Sequence, residues 1–237
     1  ATHRESFFPC NPPDILSEAE TWGSLVRCQQ SIPDTNPTVA LVGDSHAEHL
    51  FYGLAQYAEN DTLVYYILSE LPVRSSSDRM ETILNEVVSS EDLVTVIISA
   101  SWARRGVPQN ELRSELERLV ESGKRVFITD DLPIFSSHPD TCKYQFKYAV
   151  ERPKDCNEMG ASLRTGSAQP ANTISAIAAE IEGVELISTY MELCNAQDCS
   201  MIGPSGELLF RDTHHLNLNG SVFIAKKILA QRPDLIN

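Results

Sequence analysis

Nowhere in the 237 residues is there an uninterrupted apolar run of the length a membrane helix needs, about 18 residues. The opening Ala1-Thr2-His3-Arg4-Glu5-Ser6 lacks the basic and apolar blocks of a signal peptide, does not read as a natural beginning and fits a domain boundary. Basic residues are scarce: 19 Lys and Arg stand against 33 Asp and Glu, a formal net charge of −14. That balance argues against nucleic acid, whose binding needs a basic face. It also argues against docking on an anionic membrane through a polybasic patch, and makes a neutral acceptor an easier partner than a highly acidic one. No Cys-x-x-Cys pair occurs, which removes the usual zinc-ligand spacing.

What is present suits one large domain, or one domain plus an extension. A hydrophobic content of 42% supplies a sizeable core. The six cysteines fall as sequence-local pairs in polar, loop-like stretches: Cys10 with Cys28, Cys142 with Cys156, and Cys194 with Cys199. Bridged, they imply an oxidising compartment; the alternative is free thiols in a cytosolic protein.

Residues 1–37 are rich in proline, with helical character only over Ser17–Gln30, and read as an extension packed on the domain of residues 38–237. From there strands and helices alternate. Apolar runs predict strands over Thr38–Val42, Leu63–Leu68, Leu93–Ser99, Arg125–Thr129 and Val184–Ser188. Helical spacing predicts Ala47–Ala58, Asp78–Ser89, Gln109–Ser122, Pro170–Glu182 and Leu218–Ala230. The alternation predicts an α/β fold: three layers, α/β/α, around a five-stranded, mainly parallel sheet. Residues 131–169 break the rhythm. So long an irregular stretch, after the fourth strand, reads either as a wall or lid of a groove or as a stapled surface excursion.

The chain is organised around Val39-Ala40-Leu41-Val42-Gly43-Asp44-Ser45-His46-Ala47-Glu48-His49. Ser45 falls where a strand turns into a helix, beside N–H groups free to hold an anion. That position suits a nucleophile; the alternative is that Asp44 and Ser45 only cap the helix. Near the C-terminus the chain reads Arg211-Asp212-Thr213-His214-His215-Leu216-Asn217-Leu218-Asn219-Gly220. An aspartate three residues before a histidine can orient that imidazole as the base for a serine brought from elsewhere. His46 and His49 stand three apart beside Asp44, with no further ligand pattern, so no metal is expected and a supporting or surface role is read for both.

Together, Gly-Asp-Ser early and Asp-x-x-His-Leu late resemble the SGNH hydrolase superfamily, whose fold is flavodoxin-like. The longer strings Leu-Val-Gly-Asp-Ser-His-Ala and His-Leu-Asn-x-x-Gly are similar to the SGNH domains fused to membrane-bound acyltransferase-3 proteins, which O-acetylate bacterial surface polysaccharides such as O-antigen. The resemblance implies Ser45 as nucleophile, His215 as base and Asp212 as its partner, with His214 a neighbour and no cofactor or metal. It implies a periplasmic domain tethered to the inner membrane through an N-terminal membrane acyltransferase part, acting on a carbohydrate acceptor. A stand-alone carbohydrate acetyl-esterase, or a non-catalytic carbohydrate-binding domain with a relic triad, are the alternatives. The chain departs from the superfamily at the oxyanion hole. Its strand ends read Ile67-Leu68-Ser69-Glu70 and Ser99-Ala100-Ser101-Trp102-Ala103, without the expected glycine or Gly-x-Asn-Asp. The Ser45 N–H is the first candidate donor and Ser69 the second. Trp102 stands near the expected asparagine, where it would make the pocket drier, and His46 is a supporting neighbour. Arg74, Arg104 and Arg105 follow the same strand ends and are candidates to hold acceptor or donor.

Overall fold

The computed structural model describes residues 7–22, 25–143, 156–195 and 198–236, with the backbone alone at 22, 25, 142, 143 and 157–168. Its centre is a sheet of β1 (Phe8–Pro9), β2 (Cys28–Gln30), β3 (Val39–Gly43), β4 (Leu63–Ile67), β5 (Thr95–Ser99), β6 (Arg125–Thr129) and β7 (Val184–Ile187). The strand order is β1-β2-β4-β3-β5-β6-β7. The run from β4 to β7 is parallel, whereas β1 and β2 join antiparallel at the β4 edge.

Alternate residues of each strand face opposite sides, and both sides are apolar, as a sheet covered twice requires. Val39, Leu41, Leu63, Tyr65, Ile97 and Phe127 pack under helices α2 (Ser45–Leu54) and α6 (Leu218–Gln231). Ala40, Val42, Val64, Val96, Ile98 and Val126 pack under α3 (Asp78–Ser89), α4 (Gln109–Glu121) and α5 (Gly160–Glu180). The result is the expected three-layer α/β/α fold. No helix among the described residues is long and apolar enough to cross a membrane.

Three expectations need correction. The sheet has seven strands rather than five. The two extra ones come from the proline-rich N-terminal stretch, where strands of two and three residues are too short to show a period. The helix expected over Ser17–Gln30 is confined to α1 (Pro13–Glu18). Beyond it, Thr21–Trp22 pairs with Leu25–Val26, and Cys28 is drawn into β2 by edge pairing and by its disulfide to Cys10. Finally, α5 begins at Gly160, not at Pro170, and runs through that proline. A proline is better tolerated in a first turn, because inside a helix it withholds one N–H; the sequence therefore pointed to a later start. Residues 160–169 are thus helical, and Asn157–Met159 pairs with Asp198–Ser200.

Cys10–Cys28 and Cys194–Cys199 are bridged as the spacing suggested. The third expected bridge, Cys142–Cys156, involves a side chain, that of Cys142, outside the described residues.

Candidate active site

In the parallel run, β3 has β4 on one side and β5 on the other, so the connections diverge there and leave a crevice at the carboxyl ends. Gly43 ends β3, Asp44 caps α2, and Ser45 is the first helical residue. The Asp44 carboxylate is fully occupied in holding this turn. It accepts from the backbone N–H of His46 at 2.9 Å and of Ser101 at 3.1 Å, and from Arg105 Nε at 2.8 Å. Ser45, as N1 of the helix, has no carbonyl one turn back for its own N–H.

The second half of the site is a tight loop before α6. Phe210 and Leu216 bridge antiparallel, and the Arg211 N–H donates to the His215 carbonyl at 2.9 Å. Inside this loop Asp212 Oδ1 accepts the N–H groups of His214 at 3.0 Å and His215 at 2.8 Å. Asn217 then caps α6 by accepting from Gly220 N at 3.0 Å, while its amide donates to the Leu208 carbonyl at 2.7 Å. The Leu-Asn-x-x-Gly string is thus a helix cap that fixes the loop before it.

Packing of α2 against α6 brings the two halves together. Ser45 Oγ lies 3.0 Å from His215 Nε2, and His215 Nδ1 lies 2.7 Å from Asp212 Oδ2. Burial works against charge on Asp212, but the N–H groups of His214 and His215, with the His215 ring, outweigh it and hold the carboxyl at about 2. Burial lowers His215 below its ordinary 6.5, and Asp212 offsets only part of this. The imidazole is therefore neutral near pH 7 and able to take a proton from Ser45. His214 points its Nε2 at Arg104 Nη1 instead, at 2.5 Å; burial first, then His215, pushes it down to about 4.

The other singled-out residues are dispersed. Ser69 lines the same cleft as Ser45. Its hydroxyl donates to Glu20 at 2.8 Å, and its backbone N–H has no partner among the described residues. His46 is buried behind the serine, with Nδ1 3.1 Å from Asp131 and Nε2 without a partner among the described residues. Burial opposes its protonation, but Asp131 and then Asp44 prevail and raise its pKa. The structure does not bring Trp102 to the cleft: it is fully buried, its indole N–H donating to the Thr129 carbonyl at 3.0 Å. It fills the core beneath the site instead of drying the pocket. Arg74 is likewise elsewhere, paired with Glu115 at 2.9 Å. None of the described residues of the 131–169 stretch lines the cleft. As for metals, Asp212, His214 and His215 offer ligand atoms within 4.8 Å of one another, among them the atoms that join Asp212 to His215.

Sequence reasoning missed several contributors. The cleft, of about 330 Å³, is also lined by Glu20, Thr21, Arg27 and Arg211; the first three come from the N-terminal extension. Asp131 was within reach, since it follows β6 at the carboxyl end of a parallel strand, where ligand-facing groups gather.

Known structures share the fold. The periplasmic domain of a lipopolysaccharide acetyltransferase from Salmonella ser. Paratyphi A superposes with a TM-score of 0.69 at 18% identity, over 85% of each chain. A Streptococcus pneumoniae structure, solved as a candidate platelet activating factor, gives 0.53 at 16% identity, over 85% of this chain and 86% of the other. At these identities both likenesses speak for the fold. No curated protein matches the sequence. A family model does: it is described as "SGNH domain (fused to AT3 domains)" and it matches residues 10–230, from the first disulfide to the last turn of α6, which makes this chain a member of that family.

Proposed function

We propose that this chain is the catalytic acyl-transfer domain of a bacterial membrane acyltransferase, sitting in the periplasm and tethered to the inner membrane by an AT3 part. It would pass an acyl group, acetyl above all, to a sugar hydroxyl of a surface polysaccharide such as O-antigen. The observation that carries this reading is the unbroken chain from Ser45 Oγ to His215 at 3.0 Å and from His215 to Asp212 at 2.7 Å.

The mechanism has two steps. Ser45 Oγ attacks the acyl carbonyl while His215 Nε2 takes its proton. The tetrahedral oxyanion is held by the Ser45 N–H at the start of α2 and by the Ser69 N–H. His215 returns the proton to the leaving group, which departs and leaves an acyl-serine. A sugar hydroxyl then attacks that ester, again giving its proton to His215, and Ser45 leaves with the proton restored. Asp212 keeps Nε2 of His215 free by binding Nδ1–H, and it stabilises the imidazolium.

A second reading keeps the same residues with water as acceptor, an esterase. It draws on the position of Ser45, which is only half-buried and opens to solvent. The two separate by experiment. In the transferase reading the isolated domain hydrolyses small acetyl esters only weakly. Polysaccharide in cells becomes acetylated only when the domain is joined to its membrane part and Ser45 is intact. Fast hydrolysis of acetylated polysaccharide by the isolated domain supports the esterase instead, and no Ser45-dependent turnover of either kind leaves a binding domain.

The pH profile follows from the base. His215 must be neutral to act, and burial has lowered its pKa below 6.5. The rate kcat/KM on a small acetyl ester is therefore expected to rise with pH and reach half its plateau below pH 6.5. A pH–rate series checks this; a half-point above about 7 would assign the base to some other group.

A further inference from the structure

The cleft beside Ser45 does not share the charge of the chain. Acidic residues outnumber basic ones 33 to 19 overall, yet Arg27, Arg104, Arg105 and Arg211 all line this one cleft, against Glu20 and Asp212. Both acids are already engaged. Glu20 accepts from Arg27 at 3.1 Å and from Ser69 at 2.8 Å. Asp212 holds His215 at 2.7 Å and two backbone N–H groups. Two of the four arginines are accounted for within the fold: Arg27 is buried between Glu20 and Glu48, and Arg105 donates Nε to Asp44.

Arg104 and Arg211 are different. Both are exposed, and neither has an ion pair among the described residues. Arg104 follows β5 in the short helix Trp102–Arg105, and Arg211 stands in the loop before α6, so two distant segments deliver them to the same cleft. Their recorded side-chain partners are imidazole nitrogens: Arg104 Nη1 on His214 Nε2 at 2.5 Å, Arg211 Nη2 on His49 Nε2 at 3.5 Å. Burial holds both imidazoles neutral, so they accept a hydrogen bond without supplying a counter-charge. Each guanidinium carries five N–H donors in a planar fork suited to carboxylate or phosphate, and the recorded contact uses only one.

We propose that Arg104 and Arg211 form an anion-reading subsite beside Ser45, which takes a carboxylate or phosphate group carried by the acceptor saccharide. The word acceptor rests on the acyl-transfer reading above; the anion site itself does not. The acidic surface still disfavours polyanions at long range, so the site selects one charged group presented on a sugar rather than a highly charged polymer.

The test is binding without turnover, using the Ser45→Ala chain and calorimetric titration. The probes are a uronic-acid disaccharide, the same disaccharide with its carboxylate reduced to the alcohol, and galactose 1-phosphate. At least one anionic sugar is expected to bind about tenfold or more tighter than the reduced disaccharide, with the preference shrinking as salt rises. The carboxylate and phosphate arms show which anion the site takes. Arg104→Gln and Arg211→Gln, singly and together, are expected to remove the preference, and Arg104→Lys with Arg211→Lys to restore part of it; thermal melting verifies that each variant is folded. Equal binding of charged and neutral sugars, or a preference that survives the folded double variant, overturns the proposal. Charge discrimination in a chain whose Ser45-intact form transfers no acyl group would leave the subsite standing and remove the acyl-transfer reading; transfer without discrimination would do the reverse.

Discussion

Ser45→Ala is expected to lower kcat/KM on an acetyl ester by at least about 10³-fold, a loss of about 4 kcal/mol of transition-state stabilisation. His215→Ala is expected to cost about as much, and the double variant little more than either. The reason is geometric. Ser45 and His215 share one proton across 3.0 Å, so removing either end stops the same transfer. Groups that act as one unit give non-additive losses, and the residual rate comes from the N–H donors and from binding alone. His214→Ala is expected to retain most of the activity, because its ring lies against Arg104 and Thr213 rather than Ser45. Steady-state kinetics on all four variants is the measurement. Additive losses for Ser45 and His215, or a dead His214 variant beside an active His215 variant, would refute the assignment of the base.

Much of the frame was legible in the sequence because it rests on local signals. The expected bounds of α3 and β6 coincide with those observed, Asp78–Ser89 and Arg125–Thr129. Both carry clean periodicity, and in α3 Met80, Ile83, Leu84 and Val87 share the buried face. The choice of His215 rather than His214 came from the resemblance, through the spacing from Asp212 and the following Leu216, and it is His215 that lies 3.0 Å from Ser45. What escaped was non-local. Residues 8–9 and 28–30 become strands only because the β4 edge and a disulfide hold them. Trp102 was placed near the cleft by the resemblance, at the expected asparagine, but the helical turn that starts there rotates it into the core, where a tryptophan with a carbonyl for its N–H gains most from burial. The convergence of Arg27, the adjacent Arg104 and Arg105, and Arg211 joins three separated segments, and no window of sequence contains it.

Gly43→Ala is expected to be the most damaging conservative change outside the reacting groups. Gly43 closes β3 in the middle of the sheet, opposite Ile67 on one side and Ser99 on the other. Its φ is +154°, and a methyl group added there would lie 1.7 Å from the Ser99 carbonyl oxygen and 2.8 Å from the Ser99 carbonyl carbon. Those are backbone atoms of a central strand, so no flexible side chain can yield; the strands must part or the turn must move. Overpacking of this kind costs about 3 kcal/mol or more, which for a chain of this size lowers the melting temperature by roughly 6–12 °C. The same shift acts on catalysis, because Gly43 is two residues before Ser45 while His215 is anchored independently by Asp212 and the α6 cap. A displacement of about 1 Å between nucleophile and base is enough to cost about 10²-fold in rate. Thermal and urea unfolding, with kcat/KM on the folded fraction, measure the two effects separately. Gly123→Ala is the control: its φ is +83°, but a methyl group there meets nothing within 4 Å, so only the local backbone penalty of about 1–2 kcal/mol applies and the site is undisturbed. A Gly43→Ala chain as stable as the parent would mean that β3 and β5 can separate without cost, and the turn that presents Ser45 would then owe its position to the Asp44 contacts alone.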